Sequence, residues 1–592
     1  MLKLLDKILS KDKVVEVDVD SLAVETGNRL DNLSPNFKRM VSIVAIMWSL
    51  FQIYTALFGL LPALLQRSTT LGFGLILTFV CFRFRKQDGK RVPIYDYILV
   101  ILATCEVLYL WFSFDSLVTR GGSPSNLDVV MGISLIILIF EGTRRSVGLP
   151  LTIVGGVFLI YAIIGPYLPG LLGHRGYSLS RIAAHMYITN EGIFGIPMSV
   201  MTTFVFAFVL FGCFLEATGG AKLFIDLAYS LAGKYQGGPA KTAVVASGLL
   251  GTISGSSLAN VVTTGSFTIP LMKKTGYKPS FAGGVEASSS SAGQIMPPVM
   301  GAAAFIMSEM TGIPYLKICL AAAIPAVLYY LSVLLSVDLE ARRTGLESIP
   351  VDQLPKRSEA FKNSLPLLLP IFVIVGLLVM GYTPLKAALY ATAVMIISSS
   401  FSKKTRLTSK TFLAALEKAA YNSISVTIAC AVCGIITGVV TLTGLGLKLS
   451  DIILQVSGGQ LLATLLLTMV ASIILGMGLP TTVKYIVLSV IAAPALTSIG
   501  VPMIAAHLFI LYFGVIAEVT PPVALTSYAG AAIAKAPGVE TSLQGLKISI
   551  AAFFIPFMFV YYPSLVFVDV TFGGMVVGLA SSFIGVTCLA AS

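Results

Sequence analysis

The stretch GTISGSSLANVVTTG, residues 251–265, concentrates hydroxyl, amide and glycine residues within an apolar part of the chain. A second polar stretch, SSSSAGQIMPP at residues 288–298, has the same setting. Non-helical backbone at membrane depth is tolerated only where it is buried in protein or lines a cavity. Free carbonyl groups at the end of one half-helix favour cations, and free N–H groups at the start of the next favour anions. These residue types therefore predict a site for ions and an anionic solute.

A few ionisable residues also lie in apolar surroundings, where charge is costly and usually functional. Lys484 meets either a substrate carboxylate or Glu518 in a structural ion pair, and the sequence leaves both roles open. Glu286 and Glu106 are weaker candidates. His507 is interpreted as a buried histidine with a satisfied hydrogen bond rather than as a proton relay.

The composition indicates where these residues lie. The chain has 592 residues, of which 56% are hydrophobic and 11% charged, and this excludes a soluble globular protein. The net charge of +12 does not indicate nucleic-acid binding, because the basic residues lie in short loops between apolar runs. The seven cysteines lie in or beside apolar segments, so neither a disulfide framework nor a metal centre is expected. We predict an all-α polytopic membrane protein, because a lone strand cannot satisfy its backbone in lipid.

The charges of the loops predict the orientation of the chain. Residues 83–91 and the pair Arg144 and Arg145 are basic, whereas residues 121–128 between them carry no Lys or Arg. The positive-inside rule then places the N-terminus in the cytoplasm. The last apolar run, residues 572–591, has no polar tail, so the sequence leaves open whether the natural chain extends past residue 592.

An internal repeat organises the polar stretches. An ungapped offset of 224 residues superimposes prolines and glycines of the two halves, and such matches in register predict a repeat. The matched positions are Pro270 with Pro494, Gly276 with Gly500, QIMPPV (294–299) with EVTPPV (518–523), and SGSSLAN (254–260) with GLPTTVK (478–484).

The repeat predicts two helical hairpins and two broken helices, and it indicates a class of transporter. Residues 241–271 are too long for one span and return to the side of their lysines, which predicts a re-entrant helical hairpin. The paired prolines after it predict a broken helix. An odd number of predicted crossings separates each position from its copy, so the second hairpin and break are inverted. Inverted repeats broken in this way are typical of a secondary transporter with its site near the bilayer midplane.

Two motifs carry a resemblance to a known family. Residues 251–277 and GGVEASSSSAGQIMPPVMGAAAFIMSE (283–309) resemble the large permease subunit of tripartite ATP-independent periplasmic (TRAP) transporters, and the preceding spans resemble the small membrane subunit fused in front. The resemblance covers the chain from about residue 40 onward. It implies the ion transporter superfamily fold, with two re-entrant hairpins, two broken helices and an elevator movement.

The resemblance also implies a function. It implies import across the bacterial inner membrane of an organic acid, such as a dicarboxylate, a 2-oxo acid or glutamate. A periplasmic substrate-binding protein of the TAXI or DctP type would deliver the acid, with sodium ions as coupling ions and no other cofactor. Fused permeases are often partnered with TAXI proteins, which favours 2-oxoglutarate or glutamate.

The implied domains follow the chain. They are a cytoplasmic segment (1–39), a small-subunit-like four-helix domain (40–147), connecting and interfacial helices (148–190), a first repeat with hairpin 1 (191–345), a cytoplasmic loop with connecting helices (346–410), and a second repeat with hairpin 2 and C-terminal helices (411–592).

The resemblance assigns site residues by position. One sodium ion would lie between the first tip and the first break, at Ser254, Gly255, Ser256, Ser257, Gly293, Gln294 and Pro297. A second would lie at Gly476, Met477, Gly478, Pro480, Thr481, Glu518, Val519 and Thr520. The substrate would lie between the tips, near Asn260, Thr263, Ser290, Thr482 and Lys484. Glu518 departs from the symmetry of the repeat and leaves proton coupling open.

Three other readings remain. A symporter of the same superfamily for dicarboxylate with sodium or protons would need no binding protein, but it would lack the fused small subunit. An intramembrane serine protease would use Ser254 or Ser256 with His507, yet the glycine two residues before the serine is missing. A channel would explain re-entrant loops, but two oppositely oriented hairpins suit alternating access better.

Overall fold

The structure is a computed structural model. It describes residues 29–30, 33–84, 92–121, 123–346, 348, 354–401, 405–476, 478–522 and 524–591. Within these residues the regular structure is helical, and eleven helices are long and apolar enough to cross a membrane. The prediction of an all-α polytopic membrane protein is confirmed. Met477 and most of the N-terminal segment 1–39 lie outside the described residues.

Five helices begin the described chain. They are α1 (Pro35–Phe58), α2 (Ala63–Cys81), α3 (Ile94–Thr119), α4 (Asn126–Ser146) and α5 (Leu149–Ile164). Many large apolar side chains of α3 are exposed, as expected of a helix that faces lipid. At one end of this group Asp96 pairs with Arg29 at 2.5 Å and with Arg145 at 2.6 Å. All three side chains are buried, so the pairing joins α3 and α4 to the segment before α1.

The next helices lead into the first hairpin. They are α6 (Leu179–Ile188), α7 (Ile196–Ala217), α8 (Gly220–Ala232), α9 (Gly238–Ser254) and α10 (Ser257–Lys274). The helix α9 packs against α10, to which it is joined by a two-residue turn. The chain continues through α11 (Pro279–Gly293) and, after a break, α12 (Ala302–Thr311).

Four long helices separate the halves. They are α13 (Tyr315–Arg343), α14 (Arg357–Val379), α15 (Pro384–Ser399) and α16 (Ser409–Thr443). The second half contains α17 (Leu445–Ser457), α18 (Leu461–Leu475), α19 (Thr481–Ser498), α20 (Met503–Ile516) and α21 (Leu525–Ala534). The C-terminal helices are α22 (Gly538–Ile548), α23 (Ile550–Tyr561) and α24 (Phe572–Ala591).

The helix α16 connects the N-terminal helices to the repeats. It contains 35 residues and contacts α1, α2, α4 and α5 as well as α7 and α19. The two repeats also pack directly, because α11 of the first contacts α21 and α22 of the second. These contacts bring both hairpins to a common centre beside α16.

The backbone follows the offset found in the sequence. Residues Ser257–Lys274 of α10 correspond to Thr481–Ser498 of α19 at the offset of 224 residues. Gly276 and Gly500, which follow these helices, both have positive φ angles, of 101° and 89°. Such angles favour glycine because they strain other L-residues. The internal repeat is therefore visible in helix bounds and in turn conformation.

Candidate functional site

The first hairpin tip packs on the broken helix that follows it. Gly255 is left-handed with a φ angle of 62°, and the Ser256 side chain accepts a hydrogen bond from the amide of Ala259 at 3.3 Å. A Cβ atom at Gly255 would lie 2.8 Å from the carbonyl oxygen of Met300, in the break between α11 and α12. The tip and the break therefore meet through their backbones.

The close approach extends along both segments. The amide of Val299 donates to the carbonyl of Thr252 at 3.2 Å. A Cβ atom at Gly251 would lie 2.6 Å from the Cα atom of Gly293, and the reverse distance is the same. Any side chain here would separate the tip from the break, which explains the two glycines.

The second hairpin tip contacts its own broken helix through side chains. Thr481, the first residue of α19, donates its hydroxyl hydrogen to the Glu518 carboxylate. The amide of Thr526 donates to the carbonyl of Glu518 at 3.2 Å. A Cβ atom at Gly476 would lie 3.1 Å from the Cβ atom of Ala517. Residues 476–481 and 518–520 are thus adjacent, apart from the undescribed Met477.

Glu518 joins the two repeats. Its carboxylate accepts hydrogen bonds from the hydroxyl groups of Ser257 and Thr481 and from the Gln294 side-chain nitrogen, the last at 2.7 Å. The Thr526 hydroxyl adds a fourth contact at 3.3 Å. Ser257 and Thr481 are equivalent positions of the repeat, and Gln294 and Glu518 are another equivalent pair. The carboxylate therefore lies where the two repeats meet.

Lys484 supplies the nearby positive charge. Its Nζ atom lies 3.8 Å from Oε1 of Glu518 and donates to the carbonyl of Gly514 at 3.2 Å. The Lys484 side chain is 2% exposed and that of Glu518 is 9% exposed. The structure thus brings together the ion pair that the sequence left open, and a direct role of Lys484 with substrate stays a prediction.

A cavity of about 500 Å³ opens onto Glu518. Its lining includes residues of both hairpin tips and residues of α7 and α16, among them the apolar side chains of Phe208 and Val426. Among the described residues that line the cavity, none is Lys, Arg or His. Glu216, also on its lining, pairs with Lys418 at 2.5 Å, and both side chains are about half exposed. The cavity lining thus includes a residue near the C-terminal end of α7.

The predicted residues divide into two groups. Those that line the cavity are Ser254, Gly255, Ser256, Ser257, Thr263, Gln294, Pro480, Thr481, Thr482 and Glu518. Those that lie outside its lining are Asn260, Ser290, Gly293, Pro297, Gly476, Gly478, Lys484, Val519 and Thr520. Asn260 is buried and donates to the carbonyl of Ser247 at 2.9 Å. Sodium and substrate contacts at these positions remain predictions.

Besides Glu216, sequence reasoning missed three uncharged polar residues of the lining. Thr526 contacts Glu518, and Asn422 and Ser425 belong to α16. The closeness of Thr526 to the second proline pair was a usable signal. Asn422 and Ser425 are single polar residues in a long apolar helix, and their sequence context does not distinguish them from packing residues.

Two further ionisable residues lie outside the lining. The Glu286 carboxylate is fully buried and accepts hydrogen bonds from the hydroxyl groups of Ser247 at 2.6 Å, Thr268 at 2.5 Å and Thr264. His507 is hydrogen-bonded through Nδ1 to the Tyr485 hydroxyl at 2.7 Å. The prediction of a satisfied buried histidine is confirmed.

The chain is similar to a described family and to several known proteins. The family model described as tripartite ATP-independent periplasmic transporter, DctM component, matches residues 134–573. Uncharacterized protein YgiK of Salmonella typhimurium is 24% identical over 423 residues, covering 71% of this chain and 93% of that protein. The C4-dicarboxylate TRAP transporter large permease protein DctM of Vibrio cholerae is 28% identical over 275 residues, covering 46% and 56%. The isethionate TRAP transporter permease protein DctMQ of Oleidesulfovibrio alaskensis is 23% identical over 393 residues, covering 65% and 61%.

Proposed function

The chain belongs to the DctM family of tripartite ATP-independent periplasmic transporters, and we propose that it imports an organic acid by sodium-driven secondary transport. The observation that carries the proposal is the contact of both hairpin tips with Glu518 at the cavity. A solute in this cavity would touch both repeats at once. Its binding would then depend on how the repeats are arranged, which is what alternating access requires.

The coupling ions are proposed to lie in the two crevices between tip and break. At the first crevice the end of α9 meets the break after α11 with no side chain between Gly251 and Gly293. Backbone carbonyls at helix ends carry partial negative charge and suit a sodium ion. The second crevice adds the Thr481 hydroxyl and the Glu518 carboxylate. We propose that both hairpins are re-entrant, that the second repeat is inverted, and that the hairpin-bearing helices move as an elevator against α1–α5 and α16.

The partner and the solute follow from the family and the relatives. TRAP permeases work with a periplasmic substrate-binding protein. The names of the relatives mention C4-dicarboxylate and isethionate, which are organic anions. We propose a TAXI-type or DctP-type partner and a 2-oxoglutarate-like or glutamate-like acid. The helices α1–α4 would serve as a fused small subunit, as in the DctMQ relative.

The proposed location is the inner membrane of a bacterium with the N-terminus in the cytoplasm. The basic residues of α4, Arg144 and Arg145, would then lie at the cytoplasmic end. The helix α7 would run from outside to inside, and Glu216 near its C-terminus would also be cytoplasmic. Because Glu216 is among the residues that line the cavity, we propose that the structure represents an inward-facing state.

Uptake into proteoliposomes tests the proposal. Purified protein is given labelled 2-oxoglutarate or glutamate under an inward sodium gradient or an inward proton gradient, each with and without the candidate binding protein. Sodium-driven uptake that requires the binding protein is expected. Uptake without the binding protein would favour the simple symporter, and proton-driven uptake would transfer the coupling role to Glu518. Saturation of the flux separates a carrier from a channel.

A further inference from the structure

We infer that the Glu518 carboxylate occupies the subsite that receives a carboxylate group of the transported acid, and so serves as an internal anion in the empty permease. The inference deepens the proposed function and rests on it, because it assumes that the solute carries a carboxylate. It states which side chains bind the carboxylate of the solute, and that the solute must displace the Glu518 carboxylate from them. It makes no use of the driving ion.

Several hydrogen-bond donors converge on the Glu518 carboxylate. Three side chains from three separate segments, Ser257, Thr481 and Gln294, donate to one carboxylate. Carboxylates are acceptors only, and hydrogen bonds to a charged group are stronger than those between neutral groups. Donors that converge in this way form a carboxylate-binding site, whichever carboxylate occupies it.

Two of these donors lie at helix N-termini that reach the cavity. Ser257 and Thr481 are the first residues of α10 and α19, so two helix N-termini with partial positive charge point to the same place. Both residues line the 500 Å³ cavity. Since no described lining residue is basic, an organic anion entering the cavity finds its strongest donors where Glu518 now binds.

Glu518 also has a cationic partner nearby. Lys484 lies 3.8 Å from Oε1 of Glu518 and does not line the cavity. A shift of Glu518 toward Lys484 would complete a closer ion pair and release Ser257 and Thr481. Binding of the solute then exchanges one carboxylate for another, so no buried hydroxyl donor is left without an acceptor. A neutral solute cannot make this exchange, which gives selectivity for acids.

Chemical rescue tests the inference without knowledge of the natural solute. Glu518→Ala removes the internal carboxylate and leaves its donors, and acetate is the probe that replaces it. The thermal unfolding midpoint of the purified full chain is measured against acetate, acetamide and chloride at matched ionic strength. We expect acetate to raise the midpoint of Glu518→Ala by several degrees more than that of the wild type, and acetamide and chloride to have no such effect.

A double variant tests whether acetate binds to the hydroxyl donors of this site. In Glu518→Ala/Thr481→Val one hydroxyl donor is also removed, and the response to acetate is expected to fall. An equal response of wild type and Glu518→Ala, or no response of either, would overturn the inference. An undiminished response in the double variant would do the same, because the acetate would then bind elsewhere.

A second variant guards against failure to fold. Glu518→Ser keeps a hydroxyl acceptor for the donors and still leaves space for acetate. If both variants are recovered only when acetate is present during growth and purification, the subsite is supported. If acetate recovers neither, the inference is wrong. Absence of uptake by the wild-type protein in the proteoliposome assay would refute the proposed function. It would not change the effect of acetate on the unfolding midpoint, so failure of the proposed function and failure of this inference are distinguishable.

Discussion

In the first repeat the buried carboxylate is that of Glu286, and its hydroxyl donors Ser247, Thr264 and Thr268 all belong to the same repeat. In the second repeat the buried carboxylate is that of Glu518, and its surroundings differ. Glu518 receives donors from both repeats, lies beside a lysine and faces the cavity. Both carboxylates are therefore buried, but that of Glu286 connects helices within one repeat, whereas that of Glu518 connects the two repeats.

The difference shows that the repeat preserves the backbone but not the charges. The position equivalent to Glu286 is Ile510, which is buried among apolar side chains, and the position equivalent to Glu518 is Gln294. A carboxylate enclosed by its own repeat holds α9, α10 and α11 together. A carboxylate at the junction responds to any change in how the repeats contact one another or the cavity.

The largest loss of stability is expected when the positive charge of Lys484, in the second repeat, is removed. Lys484→Met leaves the Glu518 carboxylate without its cation, and removing one member of a buried ion pair costs about 4 kcal/mol of unfolding free energy. Denaturant titration in mixed micelles measures the loss. The double variant Lys484→Met/Glu518→Gln, which removes both charges, is expected to recover most of it.

The matched control lies at the equivalent position of the first repeat. Asn260→Met removes one hydrogen bond, to the carbonyl of Ser247, and should cost about 1 kcal/mol. If Asn260→Met costs as much as Lys484→Met, shape rather than charge determines the stability at both positions, and the contrast between the repeats fails.

The next effect concerns the enclosed carboxylate. Glu286→Ala removes the acceptor of four buried hydroxyl groups, of which Ser290 is the most distant at 3.5 Å. At about 1 kcal/mol for each of the three close donors, a loss of about 3 kcal/mol is expected. Below the unfolding temperature the KM for uptake should stay within about twofold of wild type, because Glu286 does not line the cavity. Glu286→Gln keeps the shape and one acceptor. Loss of uptake in a stable Glu286→Gln variant would show that this carboxylate takes part in coupling.

The third effect tests the backbone contact at the first tip. The positions equivalent to Gly251 and Gly293 are Leu475 and Ala517, so the glycine contact exists only in the first repeat. Gly293→Ala places a Cβ atom 2.6 Å from the Cα atom of Gly251, and overpacking of this kind costs about 2 kcal/mol. Thermal unfolding in detergent measures the change.

Gly212→Ala is its control. This glycine also lies in a helix, α7, and lines the cavity, but a Cβ atom there would have no neighbour within 4 Å. The substitution should leave stability unchanged or raise it by up to about 1 kcal/mol. Equal losses in the two alanine variants would contradict a tight contact at the first tip.

The sequence predicted much of this fold because its signals are local. Clustered hydroxyl residues do not by themselves prevent helix, since residues 288–291 lie within α11. Paired prolines mark breaks, because they lack the amide donors that a regular helix requires. Their common offset therefore predicted that α10 and α19 correspond, and their helix bounds agree. The apolar length of the spans predicted the membrane class for the same reason.

The site was less predictable because it depends on how the repeats pack. That Glu518 contacts Ser257 and Gln294 follows from the contact of α11 with α21 and α22, which no local pattern encodes. Helix rotation likewise decides that Thr263 lines the cavity while Asn260, three residues earlier, is buried away from it. Two polar residues in one motif thus differ in exposure, and the motif alone does not distinguish them.

The smallest effect is expected from exchanging the two equivalent residues at the junction. Gln294 donates to Glu518 at 2.7 Å, so Gln294→Glu/Glu518→Gln restores a carboxylate–amide contact with the partners reversed. Its unfolding free energy should lie within about 1 kcal/mol of wild type, whereas Gln294→Glu alone places two carboxylates together and should cost more. A double-mutant cycle with both single variants measures the coupling.

The exchange also tests whether the carboxylate can stand at either of the two equivalent positions or must stand at position 518. If the junction works because any carboxylate there meets donors from both repeats, the exchanged protein keeps its stability even though the charge now belongs to the first repeat. If the double variant is as unstable as Gln294→Glu alone, the carboxylate must lie beside Lys484, which only the second repeat provides. The stability of this one variant therefore decides whether the asymmetry of the two repeats resides in Glu518 alone or in the pair of Glu518 and Lys484.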